Sequence, residues 1–156
     1  MSQPEQIIRI AAKGDGLTAS GRYAWGAAPG DLLHEDGTIE PGPHHVTPPC
    51  AHFGRCGGCQ LQQLDEESLA EFVTARVANA SASQELGAEL ITPAHLSPPA
   101  SRRRASLRAE SSQGRVVIGF REAKSNRLVE LKRWSEFLGV PINIQPKFFP
   151  ANGDLA

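Results

Sequence analysis

Aromatic residues are scarce in this 156-residue chain, at 6% of the total, and it has a single methionine. A core built on many large rings is excluded, and a modest one is expected. Neither sign of charge is in excess. Sixteen Lys plus Arg stand against 17 Asp plus Glu, a formal net charge of −1. A partner held by bulk electrostatics is therefore not implied, and any nucleic-acid site must be a local patch. Long apolar runs are missing, so no segment is expected to span a membrane. The N-terminus lacks the pattern of a signal peptide. Ile7, Ile8 and Ile10 are interrupted by Arg9, and Lys13 and Asp15 follow at once. Cysteines number only three. An odd count without a secretion signal reads as reduced thiols in the cytoplasm, not as a disulfide frame. What the chain has in quantity is turn-forming residues, 15 Gly and 12 Pro, which predict a loop-rich chain. It is expected to be a monomer.

All three cysteines fall in one stretch, Pro48 to Gln62. Cys50, Cys56 and Cys59 are spaced C-x5-C-x2-C, with Gly57 and Gly58 inside the last pair. A C-x2-C pair enclosing small residues is a chelating turn, and it leaves backbone amides to point at sulfur. Thiolates so grouped select zinc, copper or iron–sulfur clusters rather than magnesium or calcium. The competing reading, three unrelated buried thiols, fits poorly among Pro, Gly, His and Arg with no apolar periodicity. His44 and His45 precede the loop and His52 lies inside it. Each is a candidate nitrogen ligand that would complete a three-cysteine, one-histidine zinc site, although lone histidines are more often solvent-exposed than ligating.

Upstream, the residues read as short strands with glycine punctuation, the pattern of a small β-barrel. Gln6 to Ala12 has the β-branched run of a strand. Lys13-Gly14-Asp15-Gly16 is a turn, Leu17 to Trp25 a second strand, and Pro29-Gly30-Asp31 a turn leading into a third. His34 to His45 is expected to be loop. Downstream, Asp65 to about Leu86 carries Leu69, Phe72, Val73, Val77 and Ala80 at helical spacing, with acidic residues in the first turn and Gly87 as the stop. This helix is expected to be a packing element. Ala105 to Glu110, Arg115 to Phe120 and Arg127 to Leu131 read as an antiparallel sheet with a turn at Ser111 to Gly114. Arg102, Arg103, Arg104 and Arg108 form a basic cluster, either an RNA contact or a solvated face.

The segment CAHFGRCGGCQLQ resembles the cluster loop of the bacterial RNA uracil-5-methyltransferases. That family uses S-adenosylmethionine to methylate uridine in ribosomal or transfer RNA. Its loop reads approximately C-x5-C-G-x-C-x-x-Q and binds a four-iron four-sulfur cluster, completed by a fourth cysteine from further along the chain. The resemblance extends upstream. Lys13-Gly14-Asp15-Gly16, Gly21-Arg22 and Pro29-Gly30-Asp31 follow in order the pattern of the family's TRAM domain, an oligonucleotide-binding-like barrel. It extends downstream through Arg102 to Arg104, Gly119-Phe120, Arg121-Glu122 and Ser125, with Asn126 in place of the family's histidine. It stops near Leu131, and Trp134 stands where the fourth cysteine is expected.

The resemblance implies Cys50, Cys56 and Cys59 as metal ligands, with a fourth ligand missing and zinc as the alternative metal. It implies RNA contacts from Lys13, Arg22, Arg102, Arg103, Arg104 and Arg108. The expected architecture is mixed α+β but mostly β. It comprises a TRAM-like barrel (1–47), a cluster loop (48–64), a helix with a partial sheet (65–134) and a divergent tail (135–156). The implied function is the RNA-engaging part of a methyltransferase that lacks the cofactor domain and is inactive alone. Two rivals stand beside it: a free-standing RNA-binding adaptor with a structural zinc, and a gene remnant broken near Arg133.

Overall fold

A computed structural model describes residues 3–87, 90–98, 101, 105–112 and 114–131. The fold is mostly β, with one helix and a curled antiparallel sheet. Strands β1 (Glu5–Ile10), β2 (Gly16–Thr18), β3 (Tyr23–Ala24), β4 (Leu32–Leu33) and β5 (Ile39–Glu40) form one sheet in the order β3-β2-β1-β4-β5. Strand β1 is its axis. Its first residues, Glu5 and Gln6, pair with β4, while Ile7 to Ile10 pair with β2. The register slips between Ile7 and Arg9, which face Thr18 and Leu17 respectively. In an unbroken strand Ile7 and Ile10 would point to opposite faces. The irregularity resets the phase, so both are buried and the sheet curls.

The stretch Leu17 to Trp25 is not one strand. It breaks into β2 and β3 around Ser20-Gly21, where Gly21 adopts φ +92°. Thr18 Oγ1 accepts the Arg22 N–H at 3.1 Å and closes the turn. The expected loop from His34 to His45 likewise contains a strand, β5. Asp36 Oδ1 accepts the Thr38 N–H at 2.9 Å, and Gly37 takes the positive φ that a two-strand reversal needs. Inside the curl lie Ile7, Ala24, Ala27 and Leu33, with Ile39 against them. A Cβ on Gly16 would stand 2.8 Å from Ala27 Cβ and 2.9 Å from Ile7 Cγ2, so this strand position must be glycine.

Helix α1 (Glu66–Ser83) is capped by Asp65, whose Oδ1 accepts the Ser68 N–H at 2.8 Å, and carries Glu66 and Glu67 in its first turn. Leu69 and Phe72 pack on a second cluster, Ile10, Ala28 and Leu64. The packing expectation holds for that end; Val77 further along is 59% exposed. The helix stops before Gly87. Leu86 N–H bonds to Ser81 O and Glu85 N–H to Ala82 O, with Glu85 itself left-handed at φ +56°.

Strands β6 (Arg108–Ser112), β7 (Arg115–Arg121) and β8 (Leu128–Glu130) form the second sheet, in that order and all antiparallel. Strand β6 begins three residues later than its β-propensity indicated. Arg102, Arg103, Arg104, Trp134 and the tail 135–156 lie outside the described residues.

Candidate functional site: the cysteine loop and its cleft

The cysteine loop leaves and rejoins the body of the protein at a narrow neck. His45 and Leu64 form an antiparallel bridge, Val46 N–H donates to Gln63 O at 2.8 Å, and Asp65 N–H donates to His44 O at 3.1 Å. Two histidine–carboxylate pairs lock this neck. His44 Nδ1 donates to Asp65 Oδ2 at 2.7 Å, and His45 Nδ1 to Asp31 Oδ2 at 2.7 Å. Asp31 is fully buried. Its carboxylate also accepts the Ala28 N–H and the Gly42 N–H, each at 2.7 Å. One side chain thus joins the barrel, the connector and the neck. The Asp65 hydrogen bond holds the His44 imidazole above its ordinary pKa. Asp65 is held below the usual carboxylate range, first by the Ser68 backbone N–H and then by His44.

Within the loop the chain turns tightly. Phe53 N–H donates to Cys50 O at 3.0 Å, and Cys56 N–H to His52 O at 2.9 Å. Cys56 is buried, and Gly58 N–H points at its Sγ at 3.3 Å. That contact is the amide-to-sulfur arrangement expected of a C-x2-C turn.

The loop is docked on β7 by backbone. Cys56 and Glu122 form an antiparallel bridge. Gly57 N–H donates to Arg121 O at 2.8 Å, and Ala123 N–H to Arg55 O at 3.0 Å. Arg55 Nε meets Glu122 Oε1 at 2.8 Å. Ser125 Oγ first, and Arg55 second, keep Glu122 below the ordinary carboxylate pKa. The two glycines now have a second reason to be there. A Cβ on Gly57 would lie 2.9 Å from Arg121 O, and one on Gly58 would lie 2.6 Å from the Phe120 ring. They are small because a strand lies against them, whatever the sulfurs hold.

Between loop and sheet is a cleft of about 340 Å³, bordered by Trp25, Cys56, Cys59, Arg108, Phe120 and Glu122. Cys50 does not line it. Among the described residues, no group of three His, Cys, Asp or Glu side chains converges as a metal site. The Nδ1 atoms of His44 and His45 bond carboxylates, which leaves Nε2 of each as the ring nitrogen that could ligate. As folded, then, the described residues do not present the ligand set of a four-iron cube. Cys56 and Cys59 border the cleft, and one amide-to-sulfur contact is formed.

The predicted RNA contacts fare differently from one another. Lys13 is exposed in its turn. Arg108 is exposed at the rim of the cleft. Arg22 is half-buried and committed: Nη1 pairs with Glu5 Oε1 at 3.1 Å, and Nη2 donates to His34 O at 2.9 Å. Ser20 Oγ also bonds Glu5, and these two partners hold that carboxyl below its usual range. Sequence reasoning missed Asp31 as a buried node, having read it only as the third residue of a Pro-Gly-Asp turn. It also passed over Trp25, whose ring stacks on Phe53 at 5.6 Å and 25°.

No protein-family profile matches the chain. Individual proteins do match it, among them several named as RNA methyltransferases. An uncharacterized RNA methyltransferase of Zymomonas mobilis is 44% identical over 127 residues, 81% of this chain and 32% of the relative. One from Caulobacter vibrioides is 35% identical over 142 residues, 81% of this chain and 34% of the relative. The 23S rRNA (uracil(1939)-C(5))-methyltransferase RlmD of Marinomonas sp. is 35% identical over 97 residues, 60% of this chain and 21% of the relative. The chain spans about a third or less of the length of these curated relatives. It belongs to the RNA uracil-5-methyltransferase family.

Proposed function

We propose that this chain is the RNA-engaging, cysteine-bearing region of an RNA uracil-5-methyltransferase acting on ribosomal RNA. The observation that carries the reading is the 44% identity over 127 residues to an RNA methyltransferase, which takes in 81% of the chain. In such an enzyme S-adenosylmethionine supplies the methyl group, and none of the described residues is assigned a role toward it. The curled sheet acts as a TRAM-like platform for RNA, and the second sheet extends the surface through Arg108. Cys50, Cys56 and Cys59 are metal ligands in this reading. Three thiolates fall one short of the four that a cube ordinarily takes, so a cluster held by them exposes an iron corner to oxygen and chelators.

The test is a binding titration of the 156-residue chain against a labelled 23S rRNA fragment at increasing salt. Binding is expected to weaken with a log–log slope of roughly −0.7 for each phosphate contacted on single strands. Absence of saturable binding at low salt would refute the RNA reading. Iron, sulfide and zinc measured after anaerobic reconstitution, and again in air, test the metal reading separately. Loss of iron in air with zinc retained is expected. An air-stable complement of four irons and four sulfides would show that a fourth ligand exists.

A further inference from the structure

We infer that Gln63 holds one ordered water in a small chamber between the barrel and the cysteine loop. The site is independent of both the RNA reading and the metal reading above.

Gln63 sits where the loop rejoins the body, and it is only 1% exposed. Its backbone O accepts the Val46 N–H at 2.8 Å, and its side-chain Nε2 donates to Ala27 O at 3.0 Å. A carbonyl can only accept, so this second bond fixes which way the amide points and leaves Oε1 as its other end. Among the described residues nothing donates to that oxygen. A buried acceptor left unmet is costly, and folded proteins meet such groups with a protein donor or an ordered water.

A chamber of about 10 Å³ borders the same side chain. One water needs about 10–15 Å³ of such space, so the chamber takes a single water and no organic group. Lys13 and Trp25 of the barrel wall it on one side, and Phe53 and Gln60 of the loop on the other. Trp25 and Phe53 stack across that boundary. The Leu64 N–H bonds back to Leu61 O at 3.2 Å, and this one turn brings Gln60 and Gln63 to the same chamber. Gln60 Oε1 would lie 3.3 Å from a Cβ on Gly14, so its side chain covers the Lys13-Gly14 turn. The Gln60 amide and the peptide groups of that turn are the further polar partners such a water needs. A bound cation would meet the like charge of Lys13. The Lys13 side chain is itself exposed, and an ammonium is strongly hydrated. A neutral donor therefore suits the Gln63 oxygen. Because barrel and loop each supply part of the wall, the chamber exists only while the loop is seated.

The experiment is NMR on the isotope-labelled 156-residue chain. Water should give a cross-peak to the Gln63 Nε2 protons, of opposite sign in NOE and ROE spectra, the mark of a water that tumbles with the protein. Its absence would mean a dry chamber and would overturn the inference. Lys13→Met should leave the peak in place. Its loss there would mean that the lysine ammonium fills the chamber or relays the signal, and would overturn the inference as well. Exchanging sodium chloride for ammonium chloride should change nothing; saturable loss of the peak would assign the site to a monovalent cation instead. Relaxation dispersion of the water oxygen counts long-lived waters, and its amplitude should fall by one water in Gln63→Leu. Protection of the Val46 amide, which depends on the Gln63 backbone O, verifies that the neck stays closed in that variant. An undiminished amplitude with the neck closed would overturn the assignment. Should Gln63→Leu open the neck, the spectra of the parent and of Lys13→Met still decide it.

Discussion

Replacing Asp31 with alanine should be the most damaging change that can be made to the barrel without touching an apolar side chain. The carboxylate is fully buried and holds three donors at 2.7 Å: Ala28 N–H, Gly42 N–H and His45 Nδ1. Ala28 is itself fully buried, so water cannot take over its N–H. A hydrogen bond to a charged group contributes about 1.5–3 kcal/mol, and a buried donor left unmet costs about 1–3 kcal/mol. These terms overlap. Removing one partner of a buried charged pair costs roughly 3–5 kcal/mol in all. Against a total stability of about 5–15 kcal/mol, that leaves the fold near its threshold. With a urea slope of about 1.5 kcal/mol/M, a 4 kcal/mol loss lowers the midpoint by roughly 2.5 M. Far-UV circular dichroism in urea is the assay. Asp31→Asn should lose less, since one amide oxygen still meets Ala28 and His45 while the NH2 group faces the Gly42 donor. His45→Ala should lose least, because it leaves both backbone donors satisfied. The order Asp31→Ala, Asp31→Asn, His45→Ala is the signature of a three-donor node. Should Asp31→Ala fail to fold, the other two still report it. An Asp31→Ala midpoint within about 0.5 M of the parent would refute the node.

Three further outcomes are expected. Glu85→Gly should stabilise the chain by about 1 kcal/mol, because Glu85 sits left-handed at φ +56° in the helix C-terminal cap; a lower thermal midpoint would count against this. The His44–Asp65 pair should make stability pH-dependent. A raised histidine pKa gives stabilisation that is complete below about 6.5 and is lost as pH rises through the folded value. A lowered aspartate pKa gives stabilisation present above about 3.8 and lost as pH falls through the folded value. The midpoint difference between the parent and His44→Gln should therefore be largest between those limits and shrink in alkali, and a difference constant to about pH 9 would contradict the pairing. Gly57→Ala should cost about 1–3 kcal/mol through its collision with Arg121 O, a loss readable as faster amide exchange at Gly57 and Ala123; unchanged protection would mean the loop is not docked there.

Local signals in the sequence located the elements well, and long-range partners were beyond them. The β-branched run of β1, the Lys-Gly-Asp-Gly turn and the Asp65 cap each depend on residues within a few positions, so they could be read directly. Ser20-Gly21 and Asp36-Gly37 carried turn chemistry too, but they sat inside a stretch read as continuous strand and in one read as plain loop. Their hairpins were passed over. Gly87 looked like a helix stop because glycine favours the left-handed cap; the chain uses Glu85 instead, whose N–H bonds Ala82 O while the Leu86 N–H bonds Ser81 O. The cysteine spacing marked the loop. What it could not show is that Gly57 and Gly58 answer to Arg121 and Phe120, or that Asp31 reaches His45. Those pairings exist only once the barrel curls and β7 arrives. Arg22 is the same lesson reversed: its motif was visible, while its partners Glu5 and His34 were not.

The docking of the cysteine loop on β7 also sets a timetable. Arg55 and its partner Glu122 are 67 positions apart, whereas the neck at His45 and Leu64 closes over fewer than twenty residues. At a synthesis rate of roughly 5–20 residues per second, the docking edge emerges about 3–13 s after the loop that must meet it. Short loops close early and at small entropic cost. The nascent chain therefore completes its barrel and shuts the neck while Cys50, Cys56 and Cys59 are still uncovered on one side. For those seconds the thiols are open to a metal donor or to an oxidant, and the arrival of β7 ends the interval.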